Sequence, residues 1–253
     1  AIQCMDAGRH VITEKPFAQT MAECERMVEA AERCGRKLAV HQNYRWNPGN
    51  FAARHLIQTG WIGKPFFASI EIFGSQDVGL AKHDFYAKCD DFLTIQWNNH
   101  LVDLLRCWVG MDAHRVLTRT RRMEGQNFVS DNLLISLHEF SDGVTGNIVH
   151  SELLRSSLRR QECRVDGDEG SLVFDFQKTL ALESRRLEGG PRRIDFAQGG
   201  WVSSFAGSMG DFLAAIEQDR EPAVSGRANL ATIRTILAEQ VSARAGGVWV
   251  TCV

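Results

Sequence analysis

The 253-residue chain contains no G-x-G, no G-x-x-x-x-G-K-[ST], no H-E-x-x-H and no G-x-S-x-G. These spacings place backbone N–H groups on phosphate, two imidazoles on zinc, or a serine on a sharp strand-to-helix turn, so phosphate-loop, zincin and α/β-hydrolase readings have no support. No run approaches about 18 uninterrupted apolar residues, so no bilayer-spanning segment is expected. Lys and Arg number 29 against 31 Asp and Glu, which leaves no basic excess and argues against nucleic acid as a partner. The seven cysteines are odd in number, widely spaced and free of C-x-x-C, a usage that fits a reducing cytoplasm. The eight histidines are scattered singly, so no metal site is expected.

What is present is an ordinary globular composition, 44% hydrophobic and 24% charged, with length for one large or two modest cores. Ala1 to Ala7 followed by Gly8 reads as the last turns of a helix, so the chain is expected to be an incomplete copy of a longer protein. His10 to Thr13 reads as a strand. Thr20-Met21-Ala22-Glu23 has the spacing of a capping box, the apolar stripe Met21, Cys24, Met27, Val28 and Ala31 predicts a helix, and Cys34-Gly35 ends it. Lys37 to His41 reads as a second strand, which completes a parallel βαβ unit. A helix over Gly49 to Thr59 follows. From Phe66 onward the pattern favours antiparallel strands, with Ser141-Asp142-Gly143 as a tight turn, a helix over Trp97 to Val109, tail helices over Phe205–Gln218 and Asn229–Arg244, and Pro191-Arg192-Arg193 as a loop. The expected architecture is an α/β remnant of a Rossmann-like unit over 1–48, then an α+β unit over 49–253 with a large, mostly antiparallel open sheet. Its tail helices are expected to pack back toward the first unit.

In open α/β sheets ligands gather beyond the carboxyl ends of the strands. The first strand delivers Glu14, Lys15 and Pro16 there, and the second delivers Gln42, Asn43 and Arg45. A lysine desolvated at such a place has a lowered pKa and can exchange a proton with a substrate hydroxyl. The same residues also read as a solvated surface turn. Gln96, His100, Asp103 and Cys107 recur at helical steps, with Asp103 or a backbone carbonyl placed to orient the imidazole of His100 and the other nitrogen free for a substrate oxygen. That row also reads as the polar border of an amphipathic helix.

A-G-R-H-V-I-T-E-K-P-F-A at 7–18, H-Q-N-Y-R-W-N-P at 41–48 and N-N-H-L-V-D-L-L-R-C-W-V-G at 98–110 together resemble the Gfo/Idh/MocA oxidoreductases. The resemblance implies NAD or NADP as cofactor. It places Glu14, Lys15, Pro16, Gln42, Asn43 and Arg45 at that cofactor, Lys15 and His100 in catalysis, and Lys15, Gln96, Asn99 and His100 at substrate. It implies hydride transfer between nicotinamide and a sugar-like or cyclic polyol, and a homo-oligomer formed through the open sheet. Two features depart from the pattern. Many relatives carry an aspartate where this chain has Gln96, four residues before the histidine, and the glycine fingerprint would lie upstream of Ala1, so weak or no cofactor binding is expected of this polypeptide alone. A non-catalytic ligand-binding or dimerisation remnant, and an NAD-dependent glycosidase, are the alternative readings.

Overall fold

Gly8, at φ +78°, turns the chain out of α1 (Ile2–Asp6) into β1 (Val11–Thr13), as only a residue without Cβ does readily. The computed structural model describes residues 1–196 and 200–253. Thr20 and Glu23 form the expected reciprocal capping box at the start of α2 (Met21–Cys34), and Gly35 closes it in the left-handed conformation. β2 (Leu38–Val40) pairs with β1 in parallel, Ile12 opposite Ala39. A single 3₁₀ turn, Asn43–Trp46, carries the chain into α3 (Pro48–Gln58), which starts with a proline where its missing N–H costs nothing.

The second sheet has nine strands in the order β10-β9-β8-β7-β3-β6-β5-β4-β11. They are β3 (Pro65–Phe73), β4 (Ala113–Arg121), β5 (Leu133–Phe140), β6 (Thr145–Ser151), β7 (Arg160–Gly167), β8 (Gly170–Phe174), β9 (Thr179–Ser184), β10 (Arg192–Asp195) and β11 (Trp249–Thr251). The Ser141–Gly143 turn joins β5 to β6 as expected. One expectation is corrected, and two strand pairings add to the rest. Pro191-Arg192-Arg193 is not simply a loop, because Arg192–Asp195 form the edge strand β10, which is exposed along its length and therefore lacks the apolar alternation that marks a strand. β11 was not anticipated and closes the other edge on β4. β3 runs parallel to β6, the one parallel pair in this sheet among the described residues, within an otherwise antiparallel sheet as expected, and the chain between them passes through α6, β4 and β5.

Short helices α4 (Gln76–Gly79) and α5 (Asp84–Ala87) lead to a π-helical turn, Phe92–Trp97, and then to α6 (Asn98–Val109), so the expected helix start at Trp97 falls inside the π turn. α7 (Trp201–Glu217) and α8 (Gly226–Arg244) form the tail. α8 lies against α2, α6 and β4, which returns the tail to the first unit. The main core gathers Leu101, Leu104, Leu105 and Trp108 of α6 against Ile70, Val116, Leu134, Ile148 and Phe174 of the sheet. A smaller core joins Met5, Cys24, Val28, Leu38 and Ile233 around the parallel pair. No helix of the described residues is long and apolar enough to cross a membrane.

Gly49 lets α3 approach the β8–β9 turn closely. Its N–H donates to the Phe176 carbonyl at 3.0 Å, and a Cβ built there would overlap the Asp175 carbonyl oxygen. Gly49→Ala is expected to destabilise the protein by at least about 2 kcal/mol through forced separation of α3 from the β8–β9 turn. Denaturant unfolding measures this, and an unchanged midpoint would contradict the close approach.

Candidate functional site

The site is built around Gln42, at the carboxyl end of β2 and only 1% exposed. Its Nε2 donates to Oδ1 of Asn99 and to Oδ1 of Asn229, the latter at 3.2 Å, and its Oε1 meets Nδ1 of His100 at 2.8 Å. Asn229 fixes this orientation, because its own Nδ2 donates to the carbonyls of Val224 and Ser225, leaving only Oδ1 to face Gln42. Gln42 Oε1 therefore accepts, and His100 Nδ1 carries the proton. In the neutral imidazole Nε2 is then an acceptor, and among the described residues it has no hydrogen-bond partner.

His100 is neutral for reasons visible around it. Burial holds its pKa well below the ordinary imidazole value, and the positive charge of Lys15, with a contribution from His41, pushes it further down. One face of the ring stacks on Tyr44, centroids 4.0 Å apart and planes within 4°. Asp103 does not orient this imidazole, a correction to the sequence expectation. Its carboxylate takes two bonds of 2.6 Å from Nε and Nη2 of Arg45 instead.

Lys15 lies two residues beyond β1 and is joined to Pro16 by a cis peptide, and its Nζ donates to the Gln96 carbonyl at 2.8 Å. That carbonyl belongs to the π turn, where the regular helical ladder is interrupted and a carbonyl can accept from outside it. Burial lowers the Lys15 pKa, and the charge of Glu14 offsets part of the shift. Glu14 is 72% exposed at its side chain and touches Nδ1 of His41 at 3.3 Å. Gln96 thus meets the site through its backbone. It does not continue the α6 face, since the π turn breaks the register that relates it to His100.

The predicted cofactor-side residues divide into two groups. Glu14, Lys15 and Pro16 stand at the strand end, and Pro16 and Gln96 line a cleft of about 700 Å3 with Gln19, Phe85, Cys89 and Ile95. Asn43 and Arg45 are engaged by the protein. Asn43 Nδ2 donates to Ser204 Oγ at 2.9 Å, while Arg45 holds Asp103 and the Ala223 carbonyl. Asn99 remains of interest because its Nδ2 is buried without a partner. Sequence alone gives Tyr44 no role, although it sits inside the H-Q-N-Y-R-W motif that points to its neighbours. No group of three or more metal-ligating side chains converges among the described residues.

His100 gives the stability of the protein a pH dependence with a definite sign. Its folded pKa lies below the unfolded value of about 6.5, so the unfolded chain binds the extra proton, and this contribution is complete above pH 6.5 and is lost as pH falls. Unfolding free energy is expected to drop between pH 7 and 5.5 by up to about 1.4 kcal/mol per pH unit from this group. The drop is expected to be smaller in His100→Gln, and equal slopes would refute a buried neutral imidazole.

Two family models match the chain: an oxidoreductase family with an NAD-binding Rossmann fold over residues 1–42, and the GFO/IDH/MocA C-terminal domain over residues 51–173. D-apiose dehydrogenase of Paraburkholderia graminis is 30% identical over 251 residues, 95% of this chain and 66% of the relative. Myo-inositol 2-dehydrogenase of Thermotoga maritima is 23% identical, with 89% of this chain and 67% of the relative covered. The chain thus spans about two thirds of the length of these relatives. An oxidoreductase of Agrobacterium radiobacter, solved with NAD+, L-tartaric acid and magnesium, superposes with a TM-score of 0.89 at 21% identity, over 99% of this chain and 75% of that one. With both halves matched in order along one chain, and with the E-K-P, H-Q-N-Y-R-W and N-N-H-L-V-D segments meeting at one place, the protein belongs to the Gfo/Idh/MocA family of oxidoreductases.

Proposed function

We propose that this chain serves an NAD(P)-dependent dehydrogenase acting on a CH–OH group of a sugar-like or cyclic polyol. The observation that carries the reading is the meeting of a desolvated lysine with a neutral histidine that presents a bare Nε2. The named activities of the relatives, D-apiose and inositol dehydrogenases, support the substrate class.

The residues fit the nicotinamide end of such a cofactor. Glu14 projects an exposed carboxylate able to accept from a ribose hydroxyl, and Asn99 holds a buried, unpartnered N–H donor nearby through Gln42. Glu14, Lys15 and Pro16 would hold this end, with Gln42 behind them. The cofactor when bound supplies the hydride acceptor. His100 Nε2 accepts a hydrogen bond from a substrate hydroxyl and fixes its orientation. Lys15 exchanges the proton of the hydroxyl that becomes a carbonyl, a task eased by its lowered pKa. Gln96, with a neutral side chain, takes no part in proton transfer and acts by anchoring the ammonium through its carbonyl. Asn43 and Arg45 act by fixing the turn after β2, without touching cofactor.

The same proposal divides the chain at residue 48 into a cofactor-side unit, 1–48, and a substrate-side unit, 49–253, in keeping with the two separate cores. It also includes a homo-oligomer and a cytoplasmic setting. On the outer face of the large sheet Leu137, Leu117 and Trp249 stand in one cross-strand row, with Ile135 beside it, and Leu137, Trp249 and Ile135 are each more than a third exposed. Such a row is apolar surface suited to a second copy.

Lys15→Met is expected to lower kcat for NAD+-linked oxidation of D-apiose or myo-inositol by about 10²–10⁴-fold while changing NADH affinity much less. Saturation-transfer NMR with NADH and reduced nicotinamide mononucleotide, run on this chain joined behind the N-terminal residues of its D-apiose dehydrogenase relative, reads the binding directly, and failure of both to bind there would overturn the enzyme reading. Ile135→Lys is expected to shift the mass in light scattering toward the monomer, and a wild-type monomer would remove the sheet-face contact.

A further inference from the structure

A cavity of about 240 Å3 lies where the start of the π turn meets the end of β4, residues 129–131 ahead of β5 and the last turns of α8. None of the residues assigned above to substrate or cofactor borders it. It is smaller than most small-molecule sites, which run to about 300–1,000 Å3, and has room for an ion with a few waters.

Asp90, Asp91 and Asp131 all border the cavity. Asp91 is already engaged, since its Oδ2 accepts from Gln240 Nε2 at 2.9 Å and from Arg244 Nη2 at 2.8 Å, and this also occupies the one cationic side chain of the lining. Among the described residues no group pairs with the carboxylates of Asp90 and Asp131, so the pocket keeps two uncompensated negative charges. Carboxylates at a surface can rest in water, and by themselves they mark nothing. Ser130 adds the second observation: it lines the same cavity, is 4% exposed, and its Oγ is buried without a hydrogen-bond partner. Such a group is costly unless something outside the protein satisfies it. Ser130 is also held in place in advance. Gln126 Oε1 accepts from the Met123 N–H at 2.9 Å, while its Nε2 donates to the carbonyls of Phe128 and Ser130, at 2.8 and 2.5 Å. The fully buried Phe128 ring packs on Phe92, centroids 4.6 Å apart, which anchors this loop to the first residue of the π turn.

The chemistry of these groups selects the ligand. The free donors are oxygens, from two carboxylates and one hydroxyl, which suit a hard cation, and no histidine or cysteine borders the cavity to attract a softer metal. No three His, Cys, Asp or Glu side chains are placed to share a metal ion among the described residues, fewer acidic ligands than a dedicated calcium site uses. The C-terminal turn of α8, a 19-residue helix, forms part of the wall, and its dipole favours positive charge there. We propose that this pocket holds a compact monovalent cation, potassium or ammonium, between Ser130 Oγ and the carboxylates of Asp131 and Asp90. The bound ion ties the start of the π turn to the loop ahead of β5 and to α8. The other end of that turn carries Gln96, whose carbonyl holds Lys15, but the cation site stands independently of the dehydrogenase reading.

Thermal unfolding of the 253-residue chain at fixed ionic strength, in KCl, NH4Cl, CaCl2 or N-methyl-D-glucammonium chloride, tests it. KCl or NH4Cl at about 0.1 M is expected to raise Tm by about 2 °C or more over the glucammonium salt, whose cation is too large for the pocket. That excess is expected to fall by at least about half in Ser130→Ala, which removes an oxygen that bonds nothing in the protein, and to disappear in Asp131→Asn. Asp90→Asn, at an exposed position, stands in if either substitution disturbs folding. Crystals soaked in thallium(I) acetate are expected to show an anomalous scattering peak between Ser130 and Asp131. A smaller excess in both potassium and ammonium, or one that survives in every variant, would overturn the site and leave Ser130 to water alone. A larger excess in CaCl2 that Asp131→Asn removes would overturn the choice of a monovalent ion.

Discussion

The buried amide of Gln42 is the interaction on which the arrangement of the site depends. It ends a strand of the parallel pair, and its two polar atoms reach His100 and Asn99 on α6 and Asn229 on α8. One side chain thus ties the first sheet, the helix covering the large sheet and the tail helix. Buried polar groups in such a junction are costly when unpaired, so the network has one low-energy register and loses it if any element shifts by the length of a hydrogen bond. The catalytic geometry proposed here follows from that register, because the position and the tautomer of His100 are both set by the same amide.

Arg45 and Asp103 supply the matching clamp a turn away. Both are largely buried, at 12% and 1% side-chain exposure, and the bidentate pairing, with the Ala223 carbonyl on the remaining arm, satisfies the guanidinium in place. A buried ion pair adds little net stability over an apolar pair, and its breakage by loss of one partner is costly. Its role here is geometric: it fixes the 3₁₀ turn after β2 against α6, so that Tyr44 lies flat on His100 and Gln42 faces it. Asn43, bonded to Ser204, does the same toward α7. Three polar residues after one strand thus fasten it to three helices, and none of the three is left exposed for ligand in the way Glu14 is.

Much of this was legible in the sequence and some was not, for physical reasons. The capping box at Thr20, the strand ends at Lys15 and Gln42, and the hairpin at Ser141–Gly143 depend on neighbours within a few residues, so spacing reveals them. The partner of Asp103 lies 58 positions away, and the contact between Lys15 and Gln96 spans 81, so no local pattern distinguishes them from other pairings. The π turn hides because its apolar residues Phe92, Leu93 and Trp97 fit an α-helical stripe as well. β10 hides because an exposed edge strand needs no apolar alternation. His150 and Glu152 did leave a signal, two titratable residues at the same-face spacing of a strand that is otherwise apolar inward, and that pattern marks a buried polar pair.

The neutral amide at position 42 also explains how the site manages charge without an aspartate at position 96. A carboxylate hydrogen-bonded to His100 Nδ1 would stabilise the imidazolium and raise its pKa, giving a second cation beside Lys15. An amide gives the same orientation with no charge. The imidazole then stays neutral, its Nε2 keeps a lone pair, and Lys15, its pKa lowered by burial, is the group to which the proposed reaction assigns the proton. In the proposed reaction a substrate alkoxide developing between them would meet the Lys15 ammonium on one side, with His100 Nε2 accepting from its neighbouring hydroxyl on the other. Gln96 can be neutral in such a site, since its backbone carbonyl holds the Lys15 nitrogen in place, and in the proposed oxidation that nitrogen, as the neutral amine, would take the hydroxyl proton and become the ammonium.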